Sequence, residues 1–182
     1  MIQYQPENHV RLLAKVDAFA KINLLGREEK SHYHQFSVKG SDAKALLRFL
    51  RDDPELRFSL FVDLAGVDYL KYPKPQPERF AVVYTVLSPL LGIRAQIRAF
   101  VAESDLRLPS VVDLYPGANW TEREIWDLYG VEFTGHPDLK RILMPEDFEG
   151  HPLRKDYPLR GRGERGKFPV YHASAKPLPG RD

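Results

Sequence analysis

The sequence predicts an α+β protein: a two-layer domain with helices packed on a mainly antiparallel mixed sheet, followed by a long extended C-terminal tail. Three observations predict it. Periodicities run in the order helix, strand, helix, then three strands, which suits helices gathered on one face of an antiparallel sheet. The last two strands are separated only by Ser88-Pro89-Leu90-Leu91-Gly92, short enough for a hairpin. From Gly135 onward Pro137, Pro145, Pro152, Pro158, Pro169, Pro177 and Pro179 each remove a backbone donor and push the preceding residue towards extended conformations. A length of 182 residues suits one such domain, read as a body over residues 1–134 and a proline-rich basic tail over 135–182.

The elements follow in order. His9 to Ala20 places Val10, Leu13 and Ala14 at helical spacing, and His32 to Val38 has the composition of a strand. Ser41 and Asp42 are suited to cap a helix over Ala43 to Arg51, whose stripe is Leu46, Leu47 and Leu50 and which Pro54 stops. Phe58 to Leu70, Arg79 to Leu87 and Ile93 to Val101 are strands. In the last, Arg94, Gln96 and Arg98 alternate with apolar residues, so one face is buried. Three prolines between Lys71 and Pro77 stiffen the loop joining the first two.

Residues Trp120 to Val131 carry start and stop signals for a helix of about two turns. Thr121 and Glu124 have the spacing of a capping box, and Trp120 and Ile125 that of a hydrophobic staple. Gly130 supplies the left-handed stop. Arg123 and Asp127 are four apart and suited to pair.

Composition excludes several functions. With no cysteine, the chain offers no disulfide and no thiolates for an iron–sulfur cluster. A net charge of +2 is too small to suggest nucleic-acid binding. Its distribution says more: eight basic residues stand against three acids from Arg154 on, leaving the rest of the chain at −3. No apolar run approaches the roughly 18–20 residues of a membrane span, and the N-terminus lacks the pattern of a secretory signal, so the expected location is cytosolic.

Glu122, Glu124 and Asp127 suggest acid–base chemistry, but acids belong in the first turn of a helix for dipole reasons alone. His136 and His151 precede prolines and lie too far apart for a helical metal pair, and are read as capping turns. The glycines do not form a phosphate loop. The tail's apolar residues, among them Leu139, Ile142, Leu143, Phe148, Leu153, Tyr157 and Leu159, must pack on the body or on another chain, the latter being preferred after Arg154. On that reading a chain cut after Leu153 still folds.

The stretch Glu122-Arg123-Glu124-Ile125-Trp126-Asp127-Leu128-Tyr129-Gly130-Val131, with His136, Lys140, Ile142 and Leu143, resembles the signature of the complex I 30 kDa subunit family. The resemblance continues through Arg141 to Phe148 and through Gly150-His151-Pro152-Leu153-Arg154-Lys155-Asp156-Tyr157-Pro158-Leu159. Upstream it includes Asp63 to Tyr69, Arg79 to Tyr84 and Leu108 to Trp120. It spans about residues 58–160.

The resemblance implies a non-redox, non-catalytic docking subunit in the peripheral arm of a proton-translocating NADH:quinone oxidoreductase, attached to the cytoplasmic side of the cell membrane only through the complex. Its partners would be the quinone-site (49 kDa, D-type) subunit and neighbouring Fe–S subunits, which hold the FMN, the clusters and the quinone; this chain would bind no cofactor. The interface residues it implies are Glu122, Arg123, Glu124, Asp127, His136, Lys140, His151, Arg154, Lys155, Asp156 and Tyr157. The alternative machine is a membrane-bound hydrogenase or related ion-pumping complex, which uses a similar subunit.

Overall fold

Ala43, Leu46, Leu47 and Leu50 recur at helical spacing, and the computed structural model buries all four on one side of a single helix. Burying a leucine fully contributes about 1.5–3 kcal/mol relative to leaving it exposed, so this stripe decides which side of the helix faces inward. The structure describes residues 6–19, 22–30 and 33–163.

Ten elements are described: α1 (Pro6–Ala18), β1 (Leu24–Lys30), β2 (Tyr33–Lys39), α2 (Gly40–Asp52), β3 (Leu60–Asp68), β4 (Phe80–Ser88), β5 (Ile93–Val101), β6 (Arg107–Pro109), α3 (Ala118–Tyr129) and β7 (Glu132–Thr134). The main sheet has the order β1-β2-β5-β4-β3. β2 runs parallel to β5, and the other neighbouring pairs are antiparallel. The three helices pack on this mixed, mostly antiparallel sheet, so the predicted fold class holds.

The core lies between the layers. Ile93, Ala95, Ile97, Ala99 and Val101 of β5 meet Phe80, Val82, Tyr84 and Val86 of β4, Phe36 and Val38 of β2, and the α2 stripe. Leu12 and Val16 of α1 join the same cluster. Tyr115 closes one end, its hydroxyl donating to the Phe58 carbonyl at 2.8 Å.

Several expectations are corrected. The first helix begins at Pro6 and ends at Ala18, not at His9 and Ala20. α2 follows β2 without a loop, so Ser41 and Asp42 lie inside its first turn; its N-cap residue, Lys39, makes no side-chain cap bond. β1 was not anticipated. It is an edge strand, largely exposed and rich in charge (Arg27, Glu28, Glu29), and carries no alternating apolar signal. β6 and β7 also escaped notice, since three residues are too few for a period and their pairing joins segments about 25 residues apart.

From Gly135 to Gly163 the chain forms turns and bends with no helix or strand. The expected basic charges at Arg165, Lys167, Lys176 and Arg181 lie outside the described residues.

Candidate functional site

α3 organises the region. It starts at Ala118, a turn-fraction earlier than its sequence signals suggested, and spans 12 residues. The capping box does not form: the Thr121 hydroxyl donates back to the Ala118 carbonyl at 3.1 Å, inside the helix. Nor does the staple, because Trp120 is 63% exposed while Ile125 is buried. The C-terminal stop is as expected. Gly130 adopts φ +78°, and its N–H donates to the Trp126 carbonyl.

Asp127 is the centre of the site. Its side chain is fully buried. One carboxylate oxygen accepts the backbone N–H groups of Ile142, Leu143 and Met144 at 3.0, 2.8 and 2.9 Å, and the other meets Arg141 at 2.6 Å. Burial opposes its ionisation, but these donors outweigh burial and hold the carboxyl below its usual range. Arg141 also donates to the carbonyls of Phe148 and Gly150.

The expected pairing of Asp127 with Arg123 is therefore corrected. Arg123 donates instead to the carbonyls of Lys140 and Arg141 at 3.0 and 3.1 Å and lies over the Trp120 ring. A geometry in which three successive N–H groups converge on one carboxylate satisfies Asp127 better than a single exposed helix-face pair.

The end of α3 leaves carbonyls without helical partners, and the chain returns to meet them. His151 donates from Nδ1 to the Asp127 carbonyl at 2.9 Å, the Leu153 N–H to the Leu128 carbonyl at 3.1 Å, and Arg154 to the Tyr129 carbonyl at 2.7 Å. Residues 151–154 are a strap across the helix terminus. A side chain on Gly130 would collide with it: a Cβ there would lie 2.5 Å from His151 Nε2 and closer still to the Arg154 guanidinium.

The strap continues onto the sheet. The Lys155 N–H donates to Asp68 at 2.9 Å, and Asp156 pairs with Arg79 at 3.0 Å. Arg79 grips Asp68 through two nitrogens and also contacts Glu103. Asp68 is buried, which disfavours its charge, yet Arg79 and the N–H groups of Lys155 and Leu70 bring its pKa below the usual value. Tyr157 packs against Phe148, with Arg162 over its ring. The preference for another chain after Arg154 is thus corrected as far as Asp156: Lys155 and Asp156 bind their own body, and Tyr157 packs within the tail.

Glu122 faces the other way. It is fully buried and accepts from the Ser110 hydroxyl and the Val111 N–H, both at 2.7 Å. Burial outweighs those two donors and raises its pKa. His136 accepts the Asp138 N–H at Nδ1, so its Nε2 carries the proton donated to the Asn119 carbonyl. Lys140 and Glu124 are exposed; the Lys140 ammonium pairs with Asp138, and only its carbonyl enters the network, through Arg123.

The structure therefore brings together Arg123, Asp127, His151, Arg154, Lys155, Asp156 and Tyr157, sets Glu122 and His136 at the other end of α3, and leaves Glu124 and the Lys140 side chain on the surface. The carboxylates of Asp127 and Glu122 each accept through both oxygens and are turned inward. Asp68, Arg79, Ser110 and Arg141 were missed as site residues. Arg141 lies inside the motif-bearing stretch, which was its one signal; the convergence of Asp68 and Arg79 with the strap has none.

The profile of the family described as "Respiratory-chain NADH dehydrogenase, 30 Kd subunit" matches residues 36–163. The chain belongs to that family. Its relatives in the 30 kDa subunit family include NADH-quinone oxidoreductase subunit 5 of Thermus thermophilus, 56% identical over 107 residues, which covers 56% of this chain and 52% of that one. The corresponding NADH-quinone oxidoreductase subunit of Rhizobium rhizogenes is 56% identical over 118 residues, covering 64% and 56%. That of Sinorhizobium medicae is 50% identical over 126 residues, covering 69% and 60%. The chain spans about half the length of the curated relatives it matches.

Among solved structures, a trypsin-resistant fragment (1–134) of Nqo5 superposes with TM-score 0.61 at 35% identity, covering 72% of this chain and 99% of that one. A chain of the membrane-bound sulfane sulfur reductase, an archaeal respiratory membrane complex, superposes with TM-score 0.68 over 97% of this chain and 99% of that one. At 20% identity it shows the shared fold alone. No helix among the described residues is long and apolar enough to cross a membrane.

Proposed function

We propose that this chain is a non-redox docking subunit in the peripheral arm of a proton-translocating NADH:quinone oxidoreductase. In that role it holds partner subunits in register while electrons pass from NADH through FMN and Fe–S clusters to quinone, all carried by those partners. The observation that carries the reading is the match to the 30 kDa subunit family over residues 36–163, the same stretch that builds α3 and its strap. The absence of cysteine supports it, since the chain has no thiolate to give a cluster.

The site's geometry is consistent with docking. Asp127, His151, Arg154 and Asp156 are engaged in fixing the strap and the segment before it, and this hydrogen-bonded frame presents Trp120, Leu143, Leu153 and Leu159 outward, Leu159 with its side chain wholly exposed. An exposed aromatic such as Trp120 is a common interface anchor, and the leucines add apolar area around it. The quinone-site subunit and the adjoining Fe–S subunits are the partners proposed, on the cytoplasmic side of the membrane.

The test is recovery of the tagged chain from native membranes. Flavin- and NADH-oxidising subunits among the co-purified chains support the reading. A nickel-bearing subunit in their place indicates a hydrogenase-type complex, and recovery of the chain alone overturns docking.

A further inference from the structure

A second cluster lies far from the strap in sequence, on elements the family signature does not use. His9 comes from α1, Glu29 from β1 and His34 from β2. Glu29 and His34 are direct cross-strand partners, so their side chains share one face of the sheet, and α1 brings His9 onto that face. His34 is completely buried and His9 nearly so, whereas Glu29 is exposed.

The geometry points to a binding site for a divalent transition-metal cation, formed by His9 Nδ1, His34 Nε2 and a Glu29 carboxylate oxygen. Those three ligand atoms lie within 4.8 Å of one another. The two ring nitrogens are only 2.5 Å apart, with the rings tilted by 58°. Ordinary hydrogen bonds to nitrogen are longer, about 2.7–3.2 Å between heavy atoms. Two imidazole nitrogens converging this closely place two lone pairs and at most one proton in one gap.

A cation resolves that convergence. Around Zn2+, with bonds of about 2.0–2.1 Å to nitrogen and about 2.0–2.2 Å to carboxylate oxygen, tetrahedral ligand atoms stand roughly 3.4 Å apart. Reaching that arrangement requires the rings to part by under an ångström. Glu29, within 4.8 Å of both nitrogens, needs to close in by at most about 1.4 Å, which its exposed side chain permits. Two histidines and one carboxylate are a known zinc donor set, and water takes the remaining position on the exposed Glu29 side. Softer thiolate-seeking ions are disfavoured, because the chain has no cysteine.

The site's consequence is mechanical. Among the described residues β1 is an edge strand paired only with β2, and it is largely charged. One ion would tie α1, β1 and β2 together at that edge. His34 Nδ1 makes no hydrogen bond among the described residues. The histidine therefore lacks the outer partner that strengthens metal ligation, and affinity should fall about 10–100-fold below that of an anchored site.

The experiment uses the full, tag-free chain stripped with a chelator. Zn2+ is titrated against a chromogenic indicator, and Co2+ is added separately for its visible ligand-field absorption. The expected result is one Zn2+ per chain, intense Co2+ bands of low coordination number, and a rise in apparent Tm that a chelator reverses. Glu29→Gln should weaken binding at least tenfold, and His9→Gln should abolish it. Should His9→Gln fail to fold, Glu29→Gln still carries the test, because its side chain is exposed. No stoichiometric binding at 1:1 mixing in the range of about 100 μM, or binding equal in wild type and Glu29→Gln, overturns the site; the first outcome leaves a shared proton between the two rings.

Discussion

A carboxylate's surroundings, rather than its place in a motif, decide what it does. Asp127 and Glu122 both sit in α3, five residues apart and fully buried, yet their pKa values move in opposite directions. Asp127 has three N–H donors and a directly bonded arginine, and these overcome burial; Glu122 has two donors and only the weaker, indirect pull of His136 and Lys44, and burial prevails. Asp127→Asn should cost about 3 kcal/mol at neutral pH, since it leaves Arg141 without its buried counter-charge. The folded carboxyl lies below the unfolded value of 3.8, so its contribution is complete above that value and is lost as pH falls through the folded one. The gap between denaturant curves for wild type and Asp127→Asn should therefore hold from neutral pH down to 3.8 and close as pH falls further, and a gap that stays constant below 3.8 would falsify the assignment. Glu122 cannot produce that trend. Its folded pKa is raised, so its contribution is complete below the unfolded value of 4.5 and declines as pH rises. At Gly130 the left-handed backbone and the strap act together. Gly130→Ala should cost about 2–4 kcal/mol, part of it the roughly 1–2 kcal/mol of the left-handed conformation and part the displacement of Arg154 and His151; chemical denaturation measures the sum.

At the scale of elements, α3 is held from two sides. Its Tyr129 ring lies against Gly66 of β3, where a Cβ would come within 2.6 Å of the ring. Gly66→Ala should lift α3 from the sheet at a cost of about 1–3 kcal/mol. Amide hydrogen exchange should then quicken across α3 while β4 and β5 stay protected; unchanged protection in α3 would show that the contact yields easily. On the other side, Arg79 joins β4 to Asp68 of β3 and to Asp156 of the strap. Arg79→Met should cost about 3 kcal/mol, because Asp68 keeps its N–H donors but loses the cation that favours its buried charge. Loss of the strap alone, with the sheet intact, would appear as faster exchange at the Leu153 amide and a smaller change in unfolding free energy.

For the whole molecule, a rigid frame and an outward apolar set have separable effects. Trp120→Glu and Leu159→Glu touch side chains that are mostly or wholly exposed, so stability should change by no more than about 0.5 kcal/mol. Incorporation into the membrane complex should nevertheless fall at least tenfold, equivalent to about 1.4 kcal/mol of docking energy. Wild-type levels of assembled complex with both variants would place the interface elsewhere. The strap also bears on truncation. A cut after Leu153 removes Arg154, Lys155 and Asp156, each bound to the body, so it should destabilise the fold. A cut after Tyr157 spares those bonds and isolates the contribution of the remaining C-terminal residues.

Much of this was legible in the residues themselves. Alternation in Ile93–Val101 determined a half-buried strand, the α2 leucines determined a buried stripe, and Gly130 determined where α3 stops, because each is a local property of backbone geometry or spacing. The motif-bearing stretch determined the family. Tertiary structure decided the rest. β1 became a strand only because β2 offers it an edge, and β6 and β7 only because β7 returns beside β6. Arg123 and Asp127 stand at pairing distance on a helix, yet each bonds to the segment beyond Gly135. A buried carboxylate gains more from several backbone donors brought together by folding than from one neighbour on its own helix, and no spacing along the chain records that convergence.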